Sequence, residues 1–381
     1  MKILMIGGTG ILSTAVVDEC INRGYEVTML NRGNNKEFIN SKARLIIGDF
    51  KNDSTIASKL EGLSFDVAID FLVWDKKQLI HSLNILGKIA KQYVYISSAQ
   101  AYDTSVDKVL DEGSRLINPL WRYSVEKAIA EKYLVDYCKR EKINYTIVRP
   151  GVNYGSTRIP YGIFPEMGYH WTMVERIKAG KPIITWNNGE NRLNLTRVED
   201  FASGFVGLLG NPKAYNEDFN VVGDFVYSWK EVLTTLGELI GTEVKVIDIP
   251  VNFYANALNG DTREGLLGGR ACNLVCANAK MKSVVPGYKT KYELKEGLSM
   301  TLDFYAKNNY YKGFDYQWDG ECDYIIKAYL NQKGEPIDKN LHYVYYGGDK
   351  KQSRKSYVLS NPYRTTISKM LLKCKFKLGI N

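Results

Sequence analysis

Histidine is scarce in this chain: His81, His170 and His342 are the only three among 381 residues, and none stands near a nucleophile signature. Hydrolysis by a serine, histidine and aspartate triad, and metal chemistry that needs several imidazoles, therefore lack their parts. Cysteine is thin as well. Cys20, Cys138, Cys272, Cys276, Cys322 and Cys374 are scattered and none forms a CxxC pair; Cys272 and Cys276 sit four apart with no second ligand pair, so no metal is expected and reduced, mostly buried thiols are. Long apolar runs are missing too. None reaches ~18 residues, and Met1 leads straight into a short strand without a basic n-region, so neither a transmembrane helix nor a signal peptide is expected and the protein reads as cytoplasmic.

Acids are missing from the end of the chain. From Lys350 onward the charges are Lys350, Lys351, Arg354, Lys355, Arg364, Lys369, Lys373, Lys375 and Lys377, which accounts for the whole net charge of +9 and leaves a formally neutral body. Basicity confined to a tail does not make a nucleic-acid binder, and none is expected as partner. Between Ser368 and Ile380, Lys369, Lys373 and Lys377 share a helix face while 373–378 also alternates with period two. The tail fits either packing on its own subunit or peripheral contact with anionic lipid or an acidic partner.

The chain is 45% hydrophobic and 24% charged, enough for a large core in one big or two intimate domains. Residues 2 to 6 form a short apolar run, then Gly7-Gly8-Thr9-Gly10-Ile11-Leu12-Ser13 opens a helix-patterned stretch. Strand, glycine turn and helix is the context of a dinucleotide fingerprint: Gly7 and Gly10 admit a pyrophosphate and the helix N-terminus meets its charge. Further strand patterns cover 26–30, 44–48, 66–70, 92–96 and 145–149, alternating with helical ones. That alternation predicts a Rossmann-like doubly wound parallel α/β sheet over 1–150, followed by a smaller α/β part over 151–307 interleaved with it and an extension over 308–381.

Ligands of such sheets lie at the carboxyl ends of the strands. Asn31 and Arg32 end the second strand where NAD binders carry an acid; Arg32 could pair with a 2′-phosphate, which tilts the expectation from NAD toward NADP. Asp49 and Phe50 are placed to meet an adenine edge. By the same placement Thr9, Ile11, Leu12, Phe71, Ser97, Pro150 and Val152 are cofactor-side candidates. Tyr123 and Lys127, four apart on a helical pattern, share a face, and a lysine beside a phenol favours the phenolate. Ser97 and Ser98 end the fifth strand.

The glycine turn, Asp49, Ser98, the Tyr123/Lys127 pair, Arg149-Pro150 with Tyr154-Gly155, and Val198-Glu199-Asp200 together resemble the extended short-chain dehydrogenase/reductases, the NAD(P)-dependent epimerase/dehydratase group, from Met1 to about Asp303. The resemblance implies Tyr123 as base, Lys127 lowering its pKa and bonding the nicotinamide ribose, and Ser98 bonding the reacting oxygen. Members that eliminate water carry an Asp-Glu pair after the active-site hydroxyl residue; Ala99-Gln100 stands there, which favours an epimerase or ketoreductase and makes Gln100 a substrate-side candidate. The family also implies a nucleotide-sugar substrate in surface-polysaccharide or related carbohydrate biosynthesis, a diphosphate held by Arg192 or Arg197, and a homodimer through the tyrosine helix. Leu30-Asn31-Arg32-Gly33 and the region from Lys280 to Gly297 are similar to an atypical branch that includes chloroplast stem-loop RNA-binding proteins, so a non-catalytic binding protein is the alternative.

Overall fold

Six apolar runs become six strands: Lys2–Ile6 (β1), Glu26–Asn31 (β2), Arg44–Ile47 (β3), Phe65–Asp70 (β4), Ala90–Ile96 (β5) and Asn144–Pro150 (β6). Helices cover both faces of the sheet, so its central strands read as nearly unbroken apolar runs. Six more strands follow: Val152–Tyr154 (β7), Ile183–Thr185 (β8), Arg192–Arg197 (β9), Glu217–Val221 (β10), Val226–Ser228 (β11) and Val246–Asp248 (β12). The computed structural model describes residues 1–338 apart from 53, 167 and 309–312, together with 341, 370 and 374.

The main sheet has seven strands in the order β10-β6-β5-β4-β1-β2-β3, all parallel. The doubly wound α/β reading holds, with one addition. The seventh strand comes from beyond residue 150, and sequence pattern passed over it because Glu217-Asp218-Phe219-Asn220-Val221 carries only two large apolar residues. The strand order reverses between β1 and β4, which opens the crevice where ligands of such sheets lie.

The smaller part contains a three-stranded sheet β11-β9-β7 and the pair β12-β8. Within 164–180 the helix is confined to Trp171–Lys178. Pro165 and Gly168, the latter at φ +93°, keep the preceding stretch out of the helix and leave Phe164 on a loop. Ser228 and Glu231 form a capping box on Trp229–Ile240.

Part of the C-terminal extension is core. The helix Tyr316–Lys333 lays Cys322, Ile325, Ile326 and Tyr329 into the same apolar cluster as Trp186, Trp229 and Tyr305. It also brings Asp319 and Asp323 to Arg176, at 2.6 and 2.7 Å, and to Lys181, at 2.7 and 2.8 Å. The basic amphipathic end lies outside the described residues, save Met370 and Cys374.

Candidate active site

The glycine turn is built around two backbone conformations that side chains rarely adopt, Gly7 at φ +100° and Gly8 at φ +92°. A Cβ on Gly8 would come within 2.6 Å of Met29 Cε, so Gly8, to which the sequence reading gave no role, is the crowded position. Gly10 begins the helix Ile11–Asn22, and its N–H donates to Ser13 Oγ at 2.9 Å. Asn31 stands where a ribose-binding acid is common and ties the turn to its neighbour: Nδ2 donates to the Gly7 carbonyl at 3.2 Å, and Oδ1 accepts the Gly33 N–H at 2.8 Å. Gly7, Thr9, Asn31, Arg32, Asp49 and Phe50 line one cavity of about 300 Å³. Hydrogen bonds from Asn52 and the Lys51 N–H hold the Asp49 carboxyl below its usual range, with Arg32 adding to the effect.

A second cavity, about 570 Å³, opens over the ends of β5 and β6. Ser98, Gln100, Tyr123 and Val152 line it, together with Trp74, Trp121, Arg158, Phe164, Asp261 and Arg270. Tyr123 sits on the first turn of the helix Arg122–Glu141, between the rings of Trp121 at 5.2 Å and Trp74 at 5.6 Å. Burial pushes its phenol above the usual range, a hydrogen bond with Ser98 and the charge of Arg270 pull it back, and Asp261 pushes it up. Ser98 Oγ also accepts the Gln100 N–H at 3.1 Å.

Lys127 is set deeper. Its Nζ donates to the carbonyls of Val73 and Ile96, both at 2.8 Å, and lies 5.8 Å from the centre of the Tyr123 ring. Arg270 is the cation whose charge draws on the phenol. Burial lowers the Lys127 pKa from the usual 10.5 to about 8. Between those values the unfolded chain binds the extra proton, so this lysine makes stability rise with pH. Relative to Lys127→Met, the wild type should gain up to ~3 kcal/mol between pH 8 and 10.5, measured by denaturant unfolding across that window. An unchanged difference between the two proteins would refute a buried, proton-losing lysine.

Ser97 points elsewhere. Its Oγ donates to Glu131, which also accepts Arg149 Nε at 3.0 Å and a terminal guanidinium nitrogen at 2.5 Å. Arg149 reaches Tyr102 at 2.7 Å and Asp218 at 2.8 Å, so this buried network fastens β10 to the sheet. Of the two serines, Ser98 is the one that lines the cavity with Tyr123 and acts on its phenol.

Neither arginine expected at the diphosphate faces this cavity. Side chains alternate along β9, and Leu193 takes the inward position while exposed Arg192 lines an outer groove with Glu190 and Lys230. Arg197 is buried against the Gly297 carbonyl at 2.6 Å and Glu199 at 2.9 Å. The arginines in the cavity are Arg158 and Arg270, whose guanidinium carbons lie 5.6 and 5.9 Å from the Phe164 ring centre. Burial lowers both pKa values, Arg158 to about 10 with Arg270 adding to the effect. The carbonyl of Arg270 accepts the indole N–H groups of Trp186 and Trp229 at 3.0 and 3.2 Å. A signal for Arg270 was present in Gly268-Gly269: a Cβ on Gly268 would meet Trp121 Cβ at 2.8 Å, and one on Gly269 would meet Gln100 Oε1 at 2.6 Å. Adjacent glycines beside an arginine marked a close approach.

With this geometry in place, residues 3–222 match the NAD dependent epimerase/dehydratase family. The chain belongs to that family. Among relatives of this family member, the Arabidopsis thaliana chloroplast stem-loop binding protein of 41 kDa b is 27% identical over 333 residues, 84% of this chain and 83% of that one. A putative UDP-glucose 4-epimerase of Methanocaldococcus jannaschii is 24% identical, covering 81% of this chain and 99% of that one. The fold is shared with Bifidobacterium longum UDP-glucose 4-epimerase in complex with NAD+ and UDP, at TM-score 0.64 and 17% identity over 82% of this chain and all of that one. Among the described residues no helix is long and apolar enough to cross a membrane, and no group of His, Cys, Asp or Glu could hold a metal.

Proposed function

We propose that this chain is a nicotinamide-dependent enzyme acting on a nucleotide sugar, as an epimerase or a ketoreductase. The observation that carries the reading is the single cavity that unites Ser98, Tyr123 and the paired guanidiniums of Arg158 and Arg270. The glycine turn suits a dinucleotide, because Gly7 and Gly8 adopt positive φ and the turn delivers a helix N-terminus to the crevice. When bound, the nicotinamide supplies or accepts a hydride at the sugar carbon. Tyr123 takes the hydroxyl proton, or returns it in a reduction, while Ser98 holds the reacting oxygen. Lys127 bonds the nicotinamide ribose in exchange for its carbonyl partners. Arg158 and Arg270 take the diphosphate, and the aromatic walls exclude water and stack on the sugar.

Unfolding freshly purified protein and identifying the nucleotide released tests this directly. Tightly held NAD supports an epimerase that recycles its cofactor; an empty site preferring NADPH supports a ketoreductase; no affinity for either nucleotide refutes both. Arg32 lines the adenosine-side cavity with Lys51, which favours NADP. Arg32→Ala should therefore weaken NADPH binding about tenfold to a hundredfold and leave NADH nearly unchanged, by fluorescence titration. Equal losses for both would remove the 2′-phosphate role. The stem-loop-binding relative is the source of a non-catalytic alternative, but a pure binder has no need of a phenol set between two tryptophans in one cavity with a serine. A homodimer through the helix Arg122–Glu141, which exposes Ile129, completes the proposal and is read by analytical ultracentrifugation.

A further inference from the structure

The cavity holds one carboxylate. Among its described lining residues Asp261 is the only acid, and it comes from the short helix Gly260–Gly265 rather than from the segment after Ser98, where Ala99 and Gln100 offer none. Its position is fixed: Trp121 Nε1 donates to Asp261 Oδ1 at 2.7 Å, and Trp121 itself packs on the Tyr123 ring. Oδ1 is thus engaged, while no described group donates to Oδ2. The side chain is exposed at the cavity mouth, so a proton on it exchanges with water. Asp261 acts electrically on both Tyr123 and Arg270, and all three line the same cavity.

A carboxylate at that point has no part in moving a hydroxyl proton, which Tyr123 does. The reaction it suits is the next one available: a sugar carbon oxidised to a ketone acidifies the C–H bonds of its neighbours. We propose that Asp261 is a second catalytic base of this site, removing and returning a proton on the carbon adjacent to the ketone of a keto-sugar nucleotide. This rests on the nucleotide-sugar reading above. In the step, Asp261 Oδ2 takes the proton, and the C–H electron pair becomes the carbon–carbon double bond of an enolate. The carbonyl electrons move onto the oxygen, held by Ser98 and Tyr123. Return of a proton from Asp261 restores the ketone, with no net oxidation and no further reactant. The segment after Ser98 carries no acid–base pair, and the chain supplies one such group from another part of the fold.

The test uses the full chain loaded with NAD+ and given a UDP-4-keto-hexose in D2O. Oxidised cofactor can donate no hydride, so the ketone cannot be reduced and only proton exchange is read, by proton NMR and by mass. Wild type should replace hydrogen by deuterium at a carbon next to the ketone well above the enzyme-free rate. Asp261→Asn keeps an oxygen for the Trp121 indole and should lose about a hundredfold or more of that exchange, with binding of the ketone changed little. Trp121→Phe removes the donor, leaves the carboxylate and should fall between the two. Binding without exchange, or exchange by Asp261→Asn at the wild-type rate, would overturn this inference alone. Failure of the ketone to bind would overturn the nucleotide-sugar reading and this inference with it.

Discussion

Tyr123→Phe should lower turnover by about a thousandfold while leaving nicotinamide binding nearly intact. The substitution removes one oxygen. The ring keeps its place between Trp74 and Trp121, the helix Arg122–Glu141 keeps its first turn, and the glycine turn that would hold the dinucleotide is untouched. What goes is the proton acceptor on which Ser98 and Arg270 act. Binding is read by fluorescence titration and turnover by proton NMR of the sugar product, which reports an epimerase and a ketoreductase alike. Turnover that survives the substitution would sink the assignment of Tyr123 as base. Loss of binding together with turnover would show that the residue shapes the site rather than acts in it.

The second large effect is on stability. Arg176→Met should destabilise the protein by ~3–5 kcal/mol, because it strands two carboxylates that are almost wholly buried. Arg176 is 0% exposed at its side chain and Asp323 likewise, with Asp319 at 8%, and Lys181 alone would remain to face both acids. The paired variant Arg176→Met with Asp323→Leu should recover much of the loss, since it removes a charge from each side of the cluster. Denaturant unfolding of the single and double variants checks this. A single variant within ~1 kcal/mol of wild type would mean that the charges are more hydrated than their burial indicates.

How far the sequence could be read follows from the physics of each element. The strands of the first 150 residues were legible because parallel strands, most of them buried on both faces, leave continuous apolar runs, and the glycine turn because positive φ admits few residues. Ser98 and Tyr123 were found by spacing along local elements. Arg158, Asp261 and Arg270 were not, since each reaches the cavity from a loop or short helix through contacts far apart in sequence, as the bond from Trp121 to Asp261 shows. Arg192 lines the outer groove rather than the cavity, because on a strand one residue exchanges the inner face for the outer, and Leu193 holds the inner one. The fold of the helix Tyr316–Lys333 onto the core could not be read from composition, because its buried salt bridges look like surface charge when seen in line.

The tryptophans around the cavity give the protein an optical reporter of its own. Trp74, Trp121 and Trp229 line the space, and Trp186 shares with Trp229 the carbonyl of Arg270, so four of the six tryptophans in the chain feel that residue or its surroundings. A diphosphate drawing on Arg270 pulls on the acceptor of two indoles at once. Occupancy of the sugar side should therefore register as a shift in intrinsic emission, separable from the quenching caused by a reduced nicotinamide, without any label attached to the protein.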